Sequence, residues 1–176
     1  GRSSKRFMIR NPVPNGRFTS GFGMRRHPVL GYSKMHTGVD WAAPRGTPII
    51  AAGDGVVEKA GWAGGYGRQT IIRHNNGFKT SYNHQSGIAK GVTTGARIRQ
   101  GQVIGYVGAT GLVTGNHLHY EMIVNGTKVD PMRVRLPDNR ALKGKDLLAF
   151  ERERSRIDEL LQENDETPLS VAASGS

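Results

Sequence analysis

From Asn15 to Pro131 the sequence is cut into short β-branched runs by glycine and asparagine, and this punctuation limits what the chain can fold into. The runs include Thr47-Pro48-Ile49-Ile50, Val56-Val57-Glu58-Lys59, Thr70-Ile71-Ile72-Arg73, Lys79-Thr80-Ser81-Tyr82 and Val103-Ile104-Gly105-Tyr106. His117 to Val124 alternates as a half-buried strand does. Asn75-Asn76-Gly77 and Asn125-Gly126 mark hairpins, because Asn-Gly adopts the positive φ angles that tight hairpin turns require. Many short strands at this spacing predict a mostly β fold: a compact antiparallel sheet, sandwich or barrel. The 25 glycines agree, since tight corners and close strand packing both favour them.

Beyond Asp130-Pro131 the character changes. Residues 145–163 contain no Gly or Pro, and Leu147, Phe150, Ile157, Leu160 and Leu161 recur at helical spacing, with Arg154 and Asp158 as an i,i+4 pair. This predicts a C-terminal amphipathic α-helix of about five turns. Its apolar face is expected to dock on its own domain, the sharper alternative being a partner or parent-chain segment; one or two heptads are too few to claim a coiled coil. The expected division is a polar, basic linker over residues 1–14, the main domain over 15–138, a helical extension over 139–164 and a disordered tail over 165–176. A chain that opens without Met reads as a piece of a longer protein. No apolar run approaches the roughly 18–20 residues that cross a membrane as a helix.

The absence of cysteine excludes a disulfide scaffold, a Cys-ligated zinc finger and a thiol enzyme. The formal net charge of +11 is unevenly spread. Residues 1–150 carry 22 bases against seven acids, a net of +15, whereas residues 151–176 hold seven acids against three arginines. So basic a body expects a polyanionic partner. Nucleic acid is not the predicted one: no zinc-knuckle, helix-turn-helix or aromatic RNA-binding signature is present, and the bases are scattered along the sequence.

The chemistry lies in the histidines. His36-Thr37-Gly38-Val39-Asp40 places an imidazole and a carboxylate four residues apart, in a segment whose Gly38 and Val39 disfavour a helix. His117-Leu118-His119 puts two imidazoles on one face of a strand, about 7 Å apart, where they can ligate one metal or serve one site in different roles. Imidazole with carboxylate suits zinc, and without cysteine a His₂Asp set is the natural composition. Each motif alone is weak.

Their surroundings add specificity. Ser20-Gly21-Phe22-Gly23-Met24-Arg25-Arg26-His27-Pro28 runs on to Met35-His36-Thr37-Gly38-Val39-Asp40-Trp41, then come Tyr82-Asn83-His84, Gly108-Ala109-Thr110-Gly111 and Thr114-Gly115-Asn116-His117-Leu118-His119-Tyr120-Glu121. Over about residues 15–131 this resembles the lysostaphin-like, LytM-type zinc metallopeptidases that cut peptidoglycan peptides. The resemblance implies a small, mostly antiparallel β domain of that type with its site in a loop-walled groove. It implies Zn²⁺, one per chain, as cofactor, with His36, Asp40 and His119 as ligands and His84 and His117 as catalytic histidines. His117 is assigned as the base and His84 as the group that stabilises the oxyanion, with exchange of the two left open. Peptidoglycan is the implied partner, cut at stem-peptide cross-links of the D-alanyl–diaminopimelate kind, and the implied location is the cell envelope, periplasmic or extracellular. Glycine-bridge cleavage and a metal-free regulator of other cell-wall hydrolases are the alternatives; the regulators lack ligand residues, all of which are present here. Asn116 stands where the family commonly has proline and Gln85 where a leucine often follows, departures that touch loop shape rather than ligands.

Other residues carry competing readings. Tyr82 and Arg26 are expected to meet substrate, with a core tyrosine the rival for Tyr82. His27 reads as structural or groove-lining, and His74, beside the Asn-Asn-Gly turn, as a solvated hairpin residue. Glu121, at period two from His119, either orients a ligand ring or is a surface or salt-bridged carboxylate. Gly61 to Gly67 reads as a loop or flexible groove wall rather than a phosphate loop.

Overall fold

Both Asn-Gly corners close as hairpins. Asn76 and Gly77, at φ 58° and 78°, join strand Arg68–Arg73 to Phe78–Gln85; Asn125 and Gly126, at 50° and 85°, join His117–Val124 to Thr127–Val129. The computed structural model describes residues 6–26, 33–113 and 115–137, without the side chains of Arg25, Arg26 and Ser33. Its strands are β1 (Arg17–Ser20), β2 (Gly23–Arg26), β3 (Ser33–His36), β4 (Val39–Ala42), β5 (Pro48–Ile50), β6 (Gly55–Trp62), β7 (Arg68–Arg73), β8 (Phe78–Gln85), β9 (Gly87–Ile88), β10 (Arg97–Ile98), β11 (Val103–Tyr106), β12 (His117–Val124) and β13 (Thr127–Val129). A 3₁₀ turn, Gly64–Tyr66, is the only helical element among the described residues. No helix among them is long and apolar enough to cross a membrane. The expected C-terminal helix, its docking face and the tail lie outside the described residues, as do His27 and the Arg26 side chain.

Eight strands make one antiparallel sheet, ordered β1-β4-β12-β8-β7-β6-β10, with β13 paired to β12. A three-stranded sheet, β5-β11-β9, and the β2-β3 ribbon complete the fold. Alternation on β12 divides the large sheet into two faces: Leu118, Tyr120 and Met122 are fully buried, packed in one core with Val39, Ile49, Val57, Ile72, Tyr82 and Ile104. His117, His119 and Glu121 take the opposite face. Truncating a core side chain of this kind costs about 2–5 kcal/mol, so β12 is held firmly in register.

The leading segment differs from the expected linker. Met8 is 2% exposed and Val13 is fully buried, both within the main core. Ile9 N–H donates to Ala52 O and Ile50 N–H to Pro12 O, while the Arg10 guanidinium donates to the carbonyls of Pro131 and Val134. The apolar residues that do this, Phe7, Met8, Ile9 and Val13, are interspersed with bases and prolines, and no period marks them as a strand.

Candidate metal centre and active site

His36 ends β3, Asp40 lies in β4 and His119 lies in β12, directly opposite Asp40 in the β4–β12 register. The turn between His36 and Asp40 passes so close to β12 that a Cβ on Gly38 would run into the carbonyl oxygen of Tyr120 and crowd Glu121 and the His119 ring. Glycine at position 38 is thus what allows three side chains from three strands to converge. Their ligand atoms all lie within 4.8 Å of one another. His36 Nε2 is 3.3 Å from Asp40 Oδ2, and His119 Nδ1 is 2.9 Å from Asp40 Oδ1.

Each imidazole is oriented from behind. His36 Nδ1–H donates to Gly21 O at 2.6 Å, which leaves Nε2 for the cluster. His119 Nε2–H donates to Glu121 Oε2 at 2.9 Å, which leaves Nδ1 for it. Glu121 is therefore the ring-orienting carboxylate and not a surface acid; it is 2% exposed and also accepts from Thr37 Oγ1 (2.8 Å) and Tyr66 OH (3.2 Å). Lys128 Nζ completes the arrangement, 3.4 Å from Glu121 Oε1 and donating to Tyr66 OH at 3.0 Å.

The electrostatics favour a cation. Burial alone would lower the His119 pKa, but hydrogen bonds to Asp40 and Glu121 push it up to about 9. Burial likewise opposes ionisation of Asp40, yet the hydrogen bond from His119 and the charges of His36, His119 and His117 hold its carboxyl below the usual range. Glu121 behaves the same way, drawn down against its burial by His119 and Thr37. Two ionised carboxylates thus face one imidazole, and the field that holds a proton there equally favours a divalent ion. A His₂Asp donor set with oriented lone pairs fits a metal with nitrogen and oxygen ligands.

His84 and His117 sit beside this cluster with ring centroids 5.3 Å apart. The His84 Nδ1–H donates to Thr110 O at 2.8 Å and His117 Nδ1–H to Gly115 O at 3.0 Å, so Nε2 is the free nitrogen of both rings. His117 Nε2 lies 3.9 Å from Asp40 Oδ1. Burial, together with the positive field of His117 and His119, lowers the His84 pKa against the pull of Thr110 O. Both rings line one groove with the three cluster residues, Lys34, Tyr66, Leu112 and Val113.

His84 reaches the groove through a break in alternation. Its φ is +64°, and the β7–β8 register slips between Arg68↔Gln85 and Thr70↔Tyr82, the mark of a β-bulge. The bulge also corrects the expectation for Tyr82. Two residues earlier on a regular strand it would share the His84 face; instead it is fully buried, its OH accepting from Ala52 N–H and bonded to Thr80 Oγ1. Burial pushes its pKa up to about 12, and it has no access to substrate. His74 is corrected too: 8% exposed, it donates from Nδ1 to Asp54 O and accepts at Nε2 from Thr80 Oγ1. Tyr66 is the residue that the sequence reading missed; within its glycine run, only its being the one phenol there could have signalled a role.

With this geometry in place, the comparisons with known proteins fall on the same residues. The model of Peptidase family M23 matches residues 34–131, more than half of the chain and all five histidine and aspartate positions of the site. The chain belongs to peptidase family M23. Peptidoglycan DD-endopeptidase ShyC of Vibrio cholerae is 49% identical over 146 residues, covering 82% of this chain and 33% of the relative. A zinc-containing peptidase from Vibrio cholerae superposes with a TM-score of 0.69 at 41% identity, over 78% of this chain and 43% of that one. The lysostaphin catalytic domain from Staphylococcus simulans superposes with a TM-score of 0.60 at 35% identity, over 68% of this chain and 92% of that domain, which bears out the expected fold. This chain spans about a third to two fifths of the length of the curated M23 relatives it matches first.

Proposed function

We propose that this chain is the catalytic part of a zinc-dependent peptidoglycan endopeptidase, working in the cell envelope, periplasmic or extracellular, that hydrolyses D-alanyl–diaminopimelate cross-links between stem peptides. The observation that carries the reading is the convergence of His36, Asp40 and His119 within 4.8 Å, beside two imidazoles whose Nδ1–H groups are tied to backbone carbonyls. The names of the family and of the endopeptidase relatives support the same substrate class. Residues 15–138 are proposed as the metallopeptidase unit, extended at its start by the core-forming residues 6–14.

Zn²⁺ held by His36 Nε2, Asp40 and His119 Nδ1 would polarise a scissile carbonyl and acidify a water. The chain's own residues supply the remaining steps. His117, pinned through Nδ1, accepts the water's proton at Nε2 and returns it to the leaving amine. To donate to the developing oxyanion His84 must take up a proton at Nε2, which the Thr110 carbonyl at Nδ1 favours and burial with the neighbouring imidazoles opposes. The fixed carbonyls of Gly115 and Thr110 hold both rings in place, so little reorganisation accompanies proton transfer. Glu121, Thr37 and Tyr66 keep His119 in one orientation.

Equilibrium dialysis tests the reading. One Zn²⁺ per chain is expected, and His36→Ala and Asp40→Ala should lose metal and hydrolysis together. Cross-link hydrolysis that survives in metal-free His36→Ala would overturn it.

A further inference from the structure

Bases that are scattered along the sequence are aligned by strand register. Arg97 in β10 pairs with Val56, Val56 with Arg73 in β7, Arg73 with Lys79 in β8, Lys79 with Ile123, and Ile123 with Lys128 in β13. Directly opposed residues share a face of the sheet, so Arg97, Arg73, Lys79 and Lys128 form one row across six strands, about 24 Å long at ~4.8 Å per strand. Lys59 joins them one step nearer the metal cluster: a bulge between Val57 and Lys59 pairs it with Ile71, in the row of Ser81 and Glu121.

The face is that of the active site. Along β12, His119, Glu121 and Ile123 follow at period two, which places the row about 13 Å from the cluster and outside the groove. Two bases of the row have acidic partners: Lys79 pairs with Glu58 at 2.9 Å and Lys128 with the buried Glu121 at 3.4 Å. Arg73 and Arg97 are exposed and make no side-chain hydrogen bond or ion pair with another described residue.

We propose that this row is a docking strip for the carboxylates of peptidoglycan stem peptides other than the one being cut. The proposal rests on the wall-hydrolase reading above and adds a second, polyvalent contact to it. Two guanidinium groups without a partner among the described residues, at separate points of a long row, suit a polymer that carries repeated anions better than a single small anion. The residues between the bases, Val56 and Ile123, are half-buried aliphatics. They offer neither the stacking platform of a nucleic-acid surface nor a protruding membrane anchor.

The test separates strip from groove. In the full chain silenced by His117→Ala, sedimentation with purified, protein-free wall measures binding with and without Arg73→Gln/Arg97→Gln. At low salt the double substitution should weaken wall binding about 10- to 30-fold, from a roughly fivefold contribution per basic residue at an anionic surface. The gap should close near 0.5 M salt, and Arg73→Lys/Arg97→Lys should retain binding. In the active chain, Arg73→Gln/Arg97→Gln should solubilise wall more slowly while its kcat/KM on a short soluble cross-linked dimer stays unchanged. Unaltered wall binding, an equal loss on the dimer, or equally tight Arg-dependent binding to duplex DNA or phosphatidylglycerol vesicles would overturn the proposal. A chain that cuts neither substrate would overturn the endopeptidase reading instead, and the binding measurement would still judge the strip.

Discussion

His119 uses both ring nitrogens, with Nδ1 toward Asp40 and Nε2 toward Glu121, so the acid two residues along its own strand decides which nitrogen faces a metal. Glu121→Ala should weaken zinc binding about 10- to 100-fold, read by competition with a chelator, because the ring is then free to rotate and Lys128 loses its counter-ion. Native affinity in that variant would assign Glu121 to stability alone. His117→Ala should keep its zinc and lose about 10²- to 10⁴-fold in kcat, the usual range for a general base; retained turnover would remove it from the mechanism. At this scale the sequence was informative where chemistry needs rare residues at short spacing. His36-x₃-Asp40 and His117-x-His119 stood out, and period two flagged Glu121. Tyr66 and the burial of His74 escaped, because their partners, Glu121 and Thr80, come to them through tertiary structure.

Strands β5, β6, β7, β8, β11 and β12 were legible as β-branched runs and both Asn-Gly hairpins as turns, since these signals are local. Strands β1 to β4 escaped because each is four residues long with at most one β-branched residue, so no run marks them. The bulge at His84 was invisible, and with it the side to which Tyr82 turns, because positive φ at a histidine is imposed by its neighbours. Thr110 is one such neighbour. Its carbonyl takes the His84 Nδ1–H, while its hydroxyl donates to Gln85 O at 2.7 Å and accepts from Arg68 N–H. Thr110→Val should therefore lower kcat with zinc retained, and lower stability by about 1–2 kcal/mol as two hydrogen bonds are lost. Gly38→Ala should act differently. Its Cβ meets β12 backbone, so unfolding free energy and zinc affinity should fall together, by about 1–3 kcal/mol for the overpacking.

Outside the His36–Asp40–His119 cluster, one buried group ties the stability of the whole molecule to pH. Burial lowers the His74 pKa from 6.5 to about 4, against the pull of Asp54, so the folded chain keeps the ring neutral. Above pH 6.5 folded and unfolded states bind equal numbers of protons at this site. Below it the unfolded chain takes up a proton that the folded chain refuses. The stability is thus fully present at neutral pH and falls by about 3 kcal/mol as pH drops toward 4. Urea unfolding at pH 7 and 4.5 should show a shallower pH dependence in His74→Gln than in the native chain, and parallel curves would contradict this assignment. Net charge belongs to the same scale: the sequence showed a basic body, but only strand register aligned Arg73 with Arg97. The central claim, that His36, Asp40 and His119 serve hydrolysis of wall cross-links, is tested most directly by mass analysis of purified peptidoglycan digested with the zinc-loaded chain. Cross-linked fragments should be replaced by monomers that have gained one water at the D-alanyl–diaminopimelate bond, and His117→Ala should leave them intact. Undigested cross-links, with the chain acting only by stimulating a separate amidase, would contradict the account.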